Sequence, residues 1–443
     1  MVLLILNTVL IPSIWISKHL FRKWINPLSI YTSIWYFMIT FYELKLINYS
    51  NLSGQTWFVI IFSYVSLYMG SVFYFSVKNS LKNESSSKVN KQYPLSILLK
   101  NDAKVSFYLT IIFGVIGLIG AIQSWFVLVK LFGSIPAALL RLGALYQMRV
   151  NGELVGVWPY TSLFSYSAIF FAAVFSAMKS RITVISALPL SALIIKEIAM
   201  AGRAGILFGF VEYAFTFLFT IYYLKGSYTS YSFNKTKFIL SILIVLFFFI
   251  TSVTLIKNLR AAPESFRGET RTLKSLNENK FISPAIYLYT SGHIGVLNKF
   301  LEKDVENYRV GENTFQFLYN VLNKFNVLDR PNTFQKPYRI PVWINTGTFI
   351  RELIADFGFP ITLIILFMLG FFLALNWNNF FTYGNFNNLV VLVLLMIIIF
   401  FSFLMMITRL ANWYLTLIFL LSVISFLTWK DKNFSNRIDR PYL

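Results

Sequence analysis

The stretch FILSILIVLFFFITSVTLI, residues 238–256, has no charged side chain, and neither does FPITLIILFMLGFFLAL, residues 359–375. An α-helix needs about 20 predominantly apolar residues to cross the hydrocarbon core of a bilayer. Lipid offers no hydrogen bonds, and a helix satisfies its backbone groups within the segment. Both stretches are therefore predicted to be membrane-spanning helices.

Stretches of this kind recur along the chain. Hydrophobic residues make up 57% of the 443 residues and charged residues only 13%, whereas a soluble domain carries roughly 25% charged residues. The sequence predicts an all-α polytopic membrane protein embedded in a lipid bilayer, with about 11 transmembrane helices. The predicted spans are residues 2–17, 28–47, 57–77, 107–129, 160–177, 182–200, 204–224, 238–256, 350–375, 388–407 and 412–429. Residues 135–158 are predicted to be loop, with an extra amphipathic or re-entrant piece as the alternative.

One long polar interval, Lys257–Asn345, interrupts the series of apolar segments. It divides the predicted organisation into three parts. Residues 1–256 would hold transmembrane helices 1–8, residues 257–346 would form one large extracytoplasmic loop, and residues 347–443 would hold helices 9–11 and a cytoplasmic tail. Because a membrane protein keeps recognition and chemistry in its aqueous loops and nearby helix ends, function is expected there.

Basic residues fall in every second loop of this arrangement. They follow the first, third, fifth and seventh spans and continue in the tail, for example at Lys18, Arg22, Lys225, Lys235 and Arg437. Cytoplasmic loops carry this excess of lysine and arginine. The pattern predicts that the N-terminus lies outside, the C-terminus lies in the cytoplasm and the large loop lies outside. It also accounts for much of the net charge of +21, so no nucleic-acid partner is expected.

Several kinds of chemistry are excluded or left without support by composition and motifs. The chain has no cysteine and only two histidines, which excludes disulfides, a thiolate nucleophile and a metal site built on cysteine or several histidines. It has no GxxxxGK[ST] phosphate-binding loop and no internal repeat of the kind found in many transporters. No metal and no cofactor are expected.

Four arginines lie near the outer ends of separate predicted spans: Arg203, Arg260, Arg351 and Arg409. The arginine side chain forms paired, permanently charged hydrogen bonds to phosphate oxygens. One interpretation is that the four converge on an outward-facing cavity that binds a diphosphate. The alternative is that each extends to a lipid headgroup. The loop residues Arg267 and Arg339 are further diphosphate-binding candidates.

The candidate catalytic residues outside the membrane are Asp356, His293 and Glu269. Asp356 lies in the first turns of the ninth predicted span, where a carboxylate needs a partner, and His293 has a side chain suited to proton transfer near neutral pH. A structural role for Asp356 and a bystander role for His293 remain open. Three charges inside the predicted sixth and seventh spans, Lys196, Glu197 and Glu212, are expected to neutralise one another or nearby arginines.

Short segments spread over most of the chain resemble the oligosaccharide repeat unit polymerases of the Wzy family, which extend O-antigen and capsule chains. The most specific is Asn345-Thr346-Gly347-Thr348-Phe349-Ile350-Arg351, which leads to Asp356-Phe357-Gly358. The others are Asn26-Pro27-Leu28-Ser29, Ala201-Gly202-Arg203-Ala204-Gly205, Tyr287-Leu288-Tyr289-Thr290-Ser291-Gly292 and Gly311-Glu312-Asn313-Thr314-Phe315.

The resemblance implies a helical bundle of the GT-C-like type in the bacterial cytoplasmic (inner) membrane. It implies a substrate of undecaprenyl-diphosphate-linked oligosaccharide repeats, transferred at the outer face by a metal-independent, inverting glycosyltransferase, as in lipopolysaccharide or capsule biosynthesis. The arginines would then bind the diphosphate, and a co-polymerase that regulates chain length would be a partner. Two alternatives share the same lipid-linked substrate: an O-antigen ligase, and a flippase or transporter.

Overall fold

A computed structural model describes residues 2–84, 96–151, 153–158, 160–227, 284–303, 309–332 and 335–438. The predicted span 238–256 and the candidates Arg260, Arg267 and Glu269 lie outside the described residues. Within them the chain is mostly helical, and its one small sheet pairs two short antiparallel strands with Tyr338 opposite Ile344. The strands are β1 (Tyr338–Arg339) and β2 (Trp343–Ile344). The helices are α1 (Val2–Phe21), α2 (Pro27–Glu43), α3 (Gly54–Glu84), α4 (Lys100–Phe132), α5 (Ile135–Leu140), α6 (Leu142–Asn151), α7 (Ser162–Met178), α8 (Ala187–Ala199), α9 (Ala204–Ser227), α10 (Pro284–Glu302), α11 (Gln316–Lys324), α12 (Phe349–Tyr383), α13 (Phe386–Phe401) and α14 (Ala411–Ile438).

Five of the described helices are long and apolar enough to cross a membrane. The segments concerned are Gly54–Leu81, Lys100–Phe132, Ala204–Ser227, Phe349–Tyr383 and Ala411–Asp431. Helices α7 and α13 are also apolar but shorter. These helices agree with a mostly helical, membrane-associated protein, while the number of eleven spans and their orientation stay predictions.

The polar interval 257–346 contains regular structure that its charges do not suggest. Its helix α10 is largely buried, and Gly292 and Gly295 let other side chains approach it closely. A Cβ at Gly292 would lie 2.6 Å from the Cδ1 atom of Ile344, and one at Gly295 would lie 3.0 Å from a ring carbon of Tyr42. Helix α10 therefore packs between α2 and the hairpin. Where the structure describes residues 135–158, it shows the two short helices α5 and α6 in place of a loop.

The chain divides into two compact units. Unit 1 comprises Met1–Val89, Pro263–Trp377 and Leu395–Ala411, and unit 2 comprises Asn90–Ala262, Asn378–Leu394 and Asn412–Leu443.

Unit 1 depends on a close crossing of α3 and α12 at two glycines. A Cβ at Gly70 would lie 1.9 Å from the backbone oxygen of Phe367, and one at Gly370 would lie 1.9 Å from that of Leu67. The hydroxyl of Ser71 donates to the backbone oxygen of Gly370 at 2.8 Å. Small residues of this kind let two membrane helices bring their backbones into contact.

Helix α12 is interrupted at Gly358, where φ is 75° and ψ is 167°. Side chains other than glycine rarely adopt this conformation. Pro360 follows two residues later and lacks the N–H needed to continue the hydrogen-bond ladder. The ninth predicted span, residues 350–375, is therefore two segments: a short one before Gly358, which carries the charged residues, and an apolar one after it.

Unit 2 has a similar close approach along one face of α4. A Cβ at Gly117 would lie 2.3 Å from the Oγ atom of Ser165, and one at Gly120 would lie 2.5 Å from the Cβ atom of Thr161. Helices α7 and α8 pack on α4, and α9 packs on α7 and α8. Helix α9 is the most buried candidate span. In its apolar stretch 78% is buried inside the protein, against 44% or less in the other four candidate spans.

The crossing of α3 and α12 predicts a strong effect of Gly70→Leu. Because the new side chain would displace backbone, we expect the free energy of unfolding to fall by about 3 kcal/mol or more, the upper end of the cost of overpacking. Thermal unfolding in detergent measures it. Gly54→Leu on the same helix is the control, since a Cβ there has nothing within 4 Å. Equal unfolding midpoints for the two variants would contradict the crossing.

Candidate functional site

The short segment before Gly358 brings charged side chains together in unit 1. Arg351, Glu352 and Asp356 lie on this segment, and Arg409 reaches it from the short 3-10 turn Ile407–Arg409. These four residues are called the charged cluster below. Charges inside a protein are stable only when they are paired or hydrogen-bonded, so the partners of each one define what the cluster can do.

Arg351 is fully buried. Its Nη2 atom donates to the backbone oxygen of Lys336 at 2.8 Å. The guanidinium carbon lies 5.0 Å from the ring centre of Tyr338 and 5.7 Å from that of Phe300. The rings of the hairpin and of α10 thus stabilise the buried cation by contact with their π faces.

Glu352 joins α12 to the 3-10 turn. Its Oε1 atom lies 3.3 Å from the Nη1 atom of Arg409, and its Oε2 atom accepts a hydrogen bond of 2.9 Å from the backbone N–H of Met406. Arg409 also donates from Nε to the side-chain oxygen of Gln316 at 3.0 Å. The Arg409 side chain is 10% exposed and that of Glu352 is 1% exposed, so this is a nearly dry ion pair.

Asp356 accepts four hydrogen bonds. Its Oδ1 atom accepts from the backbone N–H and the side-chain amide of Asn313, at 3.0 and 2.8 Å. Its Oδ2 atom accepts from the backbone N–H and the hydroxyl of Thr314, both at 2.7 Å. Since a carboxylate offers about four lone-pair directions, Asp356 is fully engaged in holding this turn.

The turn itself, residues 311–315, leads directly into α11. Its entry is fixed by Glu312, whose carboxylate lies 3.3 Å from the Nε atom of Arg309 and accepts from the backbone N–H of Asn332 at 2.8 Å. Burial raises the pKa of Glu312, but the hydrogen bonds from Arg309 and Asn332 together lower it by a larger amount. The pKa of Glu312 therefore lies below its ordinary value. On the other side, the hydroxyl of Thr408 donates to the backbone oxygen of Thr314 at 3.0 Å.

His293 lies on α10 and is 1% exposed. Its Nδ1 atom is 3.3 Å from the backbone oxygen of Thr346 and 3.2 Å from its hydroxyl. A carbonyl oxygen only accepts, so in the neutral ring Nδ1 carries the proton and Nε2 has a free lone pair. The buried Nε2 atom has no hydrogen-bond partner in the described part of the chain. Burial lowers the pKa of His293 to about 4, so the imidazole is neutral at neutral pH.

The structure brings together two of the six predicted diphosphate-binding arginines, Arg351 and Arg409. Arg203 is half-buried in unit 2, and Arg339 is exposed on β1 with its Nε atom 3.3 Å from the backbone oxygen of Pro341. Arg260 and Arg267 lie outside the described residues, as does Glu269. Each of the predicted roles in binding and catalysis stays a prediction.

The expectation that Glu212 is neutralised by another charge is wrong for the part of the chain that the structure describes. Both of its carboxylate oxygens are buried without a hydrogen-bond partner. Lys196 instead donates to the hydroxyl of Thr161 and interacts electrostatically with Glu197.

Sequence reasoning missed the neutral partners of the cluster. Gln316, Tyr338 and Phe300 bear no charge, and aromatic residues are too common in this chain to single out two of them. The segment 311–315 stands out in the sequence by its resemblance, but nothing in the sequence links it to Asp356. That link depends on a contact across more than 40 residues of sequence.

Among the described residues, no group of three or more histidine and carboxylate side chains lies close enough to hold a metal ion. Comparison of the chain with protein-family models, with curated proteins and with solved structures finds no match.

The hydrogen bonds of Asp356 predict the behaviour of Asp356→Asn. The amide replaces one acceptor oxygen with a donor, so the N–H groups of Asn313 and Thr314 lose part of their charged acceptor. Hydrogen bonds to charged groups contribute about 1.5–3 kcal/mol, and we expect these two amides to exchange with deuterium about 10- to 100-fold faster. Asp329→Asn, at an exposed position of the same loop region, is the control. Unchanged exchange at both amides would show that Asp356 does not hold the turn.

Burial of His293 predicts how stability depends on pH. The pKa falls from 6.5 to about 4 on folding, so between these values the unfolded chain binds a proton that the folded chain does not. Stability should therefore rise with pH across this window, by roughly 3 kcal/mol for this one group. Unfolding measured at several pH values should show this rise in wild type and His19→Gln, and a smaller rise in His293→Gln. Identical curves for the two variants would refute it.

Proposed function

We propose that this protein polymerises undecaprenyl-diphosphate-linked oligosaccharide repeats at the outer face of the bacterial cytoplasmic membrane. The growing glycan is transferred to the non-reducing end of a new lipid-linked repeat, and undecaprenyl diphosphate is released. The observation that carries the proposal is the charged cluster, because the segment of most specific resemblance, residues 345–351, ends at its buried Arg351. The sequence resemblance supplies the substrate class.

In the proposed reaction, a hydroxyl of the acceptor sugar attacks the anomeric carbon of the growing chain. The bond from this carbon to the diphosphate oxygen breaks, and the leaving diphosphate keeps the electron pair. The hydroxyl proton passes to a base on the protein. No nucleotide, metal or other cofactor takes part, because the lipid diphosphate is already an activated leaving group.

Arg409 is the proposed contact for the diphosphate. It keeps some exposure and is held by Glu352, so a bound diphosphate would share the guanidinium of Arg409 with this carboxylate. Arg351 is more deeply buried and is assigned a positioning role through the hairpin. The further predicted diphosphate contacts are Arg203, Arg260, Arg267 and Arg339. Charge-matched donors aimed at a leaving group contribute several kcal/mol in other enzymes.

The proposed base is His293, with Glu269 as the alternative in the large loop. The imidazole is neutral and has a free lone pair on Nε2, so this atom can accept a proton. Asp356 is less suited to take a proton, because all of its lone-pair directions are occupied. It is assigned the role of positioning the turn 311–315.

The test is to place the purified protein in liposomes with a synthetic undecaprenyl-diphosphate repeat unit, without metal or nucleotide, and to separate the products on a gel. A ladder spaced by one repeat is the expected result. Transfer of the glycan only to a different acceptor would indicate a ligase. Movement of the intact lipid-linked repeat across the membrane, with no new glycosidic bond, would indicate a flippase.

Arg409→Lys should reduce the rate of polymerisation about 100-fold, because lysine keeps the charge but loses the paired hydrogen bonds to phosphate. The same gel assay measures this. Arg330→Lys, at an exposed loop position, should remain at the wild-type rate. A wild-type rate for Arg409→Lys in a folded preparation would remove Arg409 from the diphosphate site.

A further inference from the structure

One face of α9 carries three buried polar side chains with no hydrogen-bond partner among the described residues. They are Glu212, Thr216 and Thr220, each fully buried. Positions i, i+4 and i+8 share one face of a helix. Since α9 is also the most buried candidate span, a line of oxygen atoms runs through its interior side.

The two threonines, like Thr416 on α14, lack a hydrogen bond that several other buried threonines of this protein make. Thr32, Thr110 and Thr362 each donate to the backbone oxygen four residues earlier, at 2.8 Å. This bond satisfies a hydroxyl inside a membrane helix. Thr216 and Thr220 do not make it, so their oxygen atoms are available to a ligand.

Among the described residues, no cationic side chain pairs with the carboxylate of Glu212. Helix α9 packs against α7 and α8. The titratable group of α7 within electrostatic range is Tyr166, whose hydroxyl donates to the backbone oxygen of Gly205 at 3.3 Å. On α8, Lys196 and Glu197 interact with each other, and Glu197 also lies within range of Tyr166.

Tyr166 extends the polar line to the start of α9. Its hydroxyl meets the backbone at Gly205, and the carboxylate of Glu197 lies where a Cβ of Gly205 would be. From Gly205 to Thr220 the helix rises about 22 Å at 1.5 Å per residue, most of the roughly 30 Å of a hydrocarbon core. The polar groups therefore follow α9 across much of a bilayer.

A carboxylate cannot stay charged and unpaired in such a place, because burial of an isolated charge is very costly. Either a proton or a metal cation must neutralise it. We infer that Glu212 binds a small monovalent cation, either H⁺ or Na⁺, within α9, with the hydroxyl of Thr216 one turn away as a further ligand. The proposal concerns unit 2 alone and does not rest on the proposed polymerase activity.

Infrared difference spectroscopy of the full-length protein in liposomes tests the site. The carbonyl band of a protonated carboxyl should be present in wild type and missing in Glu212→Gln. If the cation is H⁺, the band disappears as pH is raised and NaCl has no effect at fixed pH. If it is Na⁺, NaCl removes the band at fixed pH and an equal concentration of choline chloride does not. A band that neither pH nor Na⁺ changes would overturn the proposal.

A second measurement does not depend on the folding of the Glu212→Gln variant. A carbodiimide reacts with protonated carboxyls in apolar surroundings, and mass spectrometry of the labelled wild-type peptide shows whether Glu212 is modified. The labelling should fall with rising pH for H⁺, or with added Na⁺ for Na⁺. Labelling of Glu212 that is independent of both would count against the site.

The threonines provide a matched pair of variants. Thr216→Val removes one oxygen at constant shape, and we expect about a tenfold loss of apparent cation affinity, or a tenfold shift of the proton concentration at half-labelling. Thr110→Val on α4 removes a buried hydroxyl that is already bonded and should leave the affinity unchanged. Equal affinities in the two variants would exclude Thr216 as a ligand.

Discussion

The charged cluster of unit 1 depends on the ion pair of Glu352 and Arg409. Breaking a buried pair by removal of one partner leaves a charge in a dry environment, which in other proteins costs about 3–5 kcal/mol. Here the same carboxylate also accepts from the backbone of Met406. The start of α12, the 3-10 turn and α11 are therefore fixed relative to one another by charge and hydrogen bonding, with apolar packing filling the space around them.

Much of the fold class follows from the sequence because lipid imposes simple rules. Long apolar stretches such as 359–375 have few alternatives to a helix, and most predicted spans in the described part overlap a helix. Helix α10 could not be found in this way, because its burial depends on Gly292 and Gly295 fitting against α2 and the hairpin. The break at Gly358 was also missed, although Gly358 and Pro360 together are a signal for it.

The sequence identifies several charged residues of the candidate site but not the contacts between them. Arg351, Arg409 and Asp356 stand out in the sequence because charges at helix ends need partners. The sequence does not say that Glu352 binds Arg409, or that Asp356 binds a turn 43 residues away. Glu212 shows the same limit in reverse, because nothing in the sequence distinguishes a buried acid that has a partner from one that has none.

The break at Gly358 also has a mechanical consequence. Transmembrane helices change tilt when the bilayer becomes thicker or thinner. In a continuous helix that rotation would carry Arg351 and Glu352 with it. Because α12 is interrupted at Gly358, the apolar segment can tilt about this glycine while the short charged segment stays bound to the turn 311–315. Tilting of the apolar segment in this way would leave the geometry of the charged cluster unchanged.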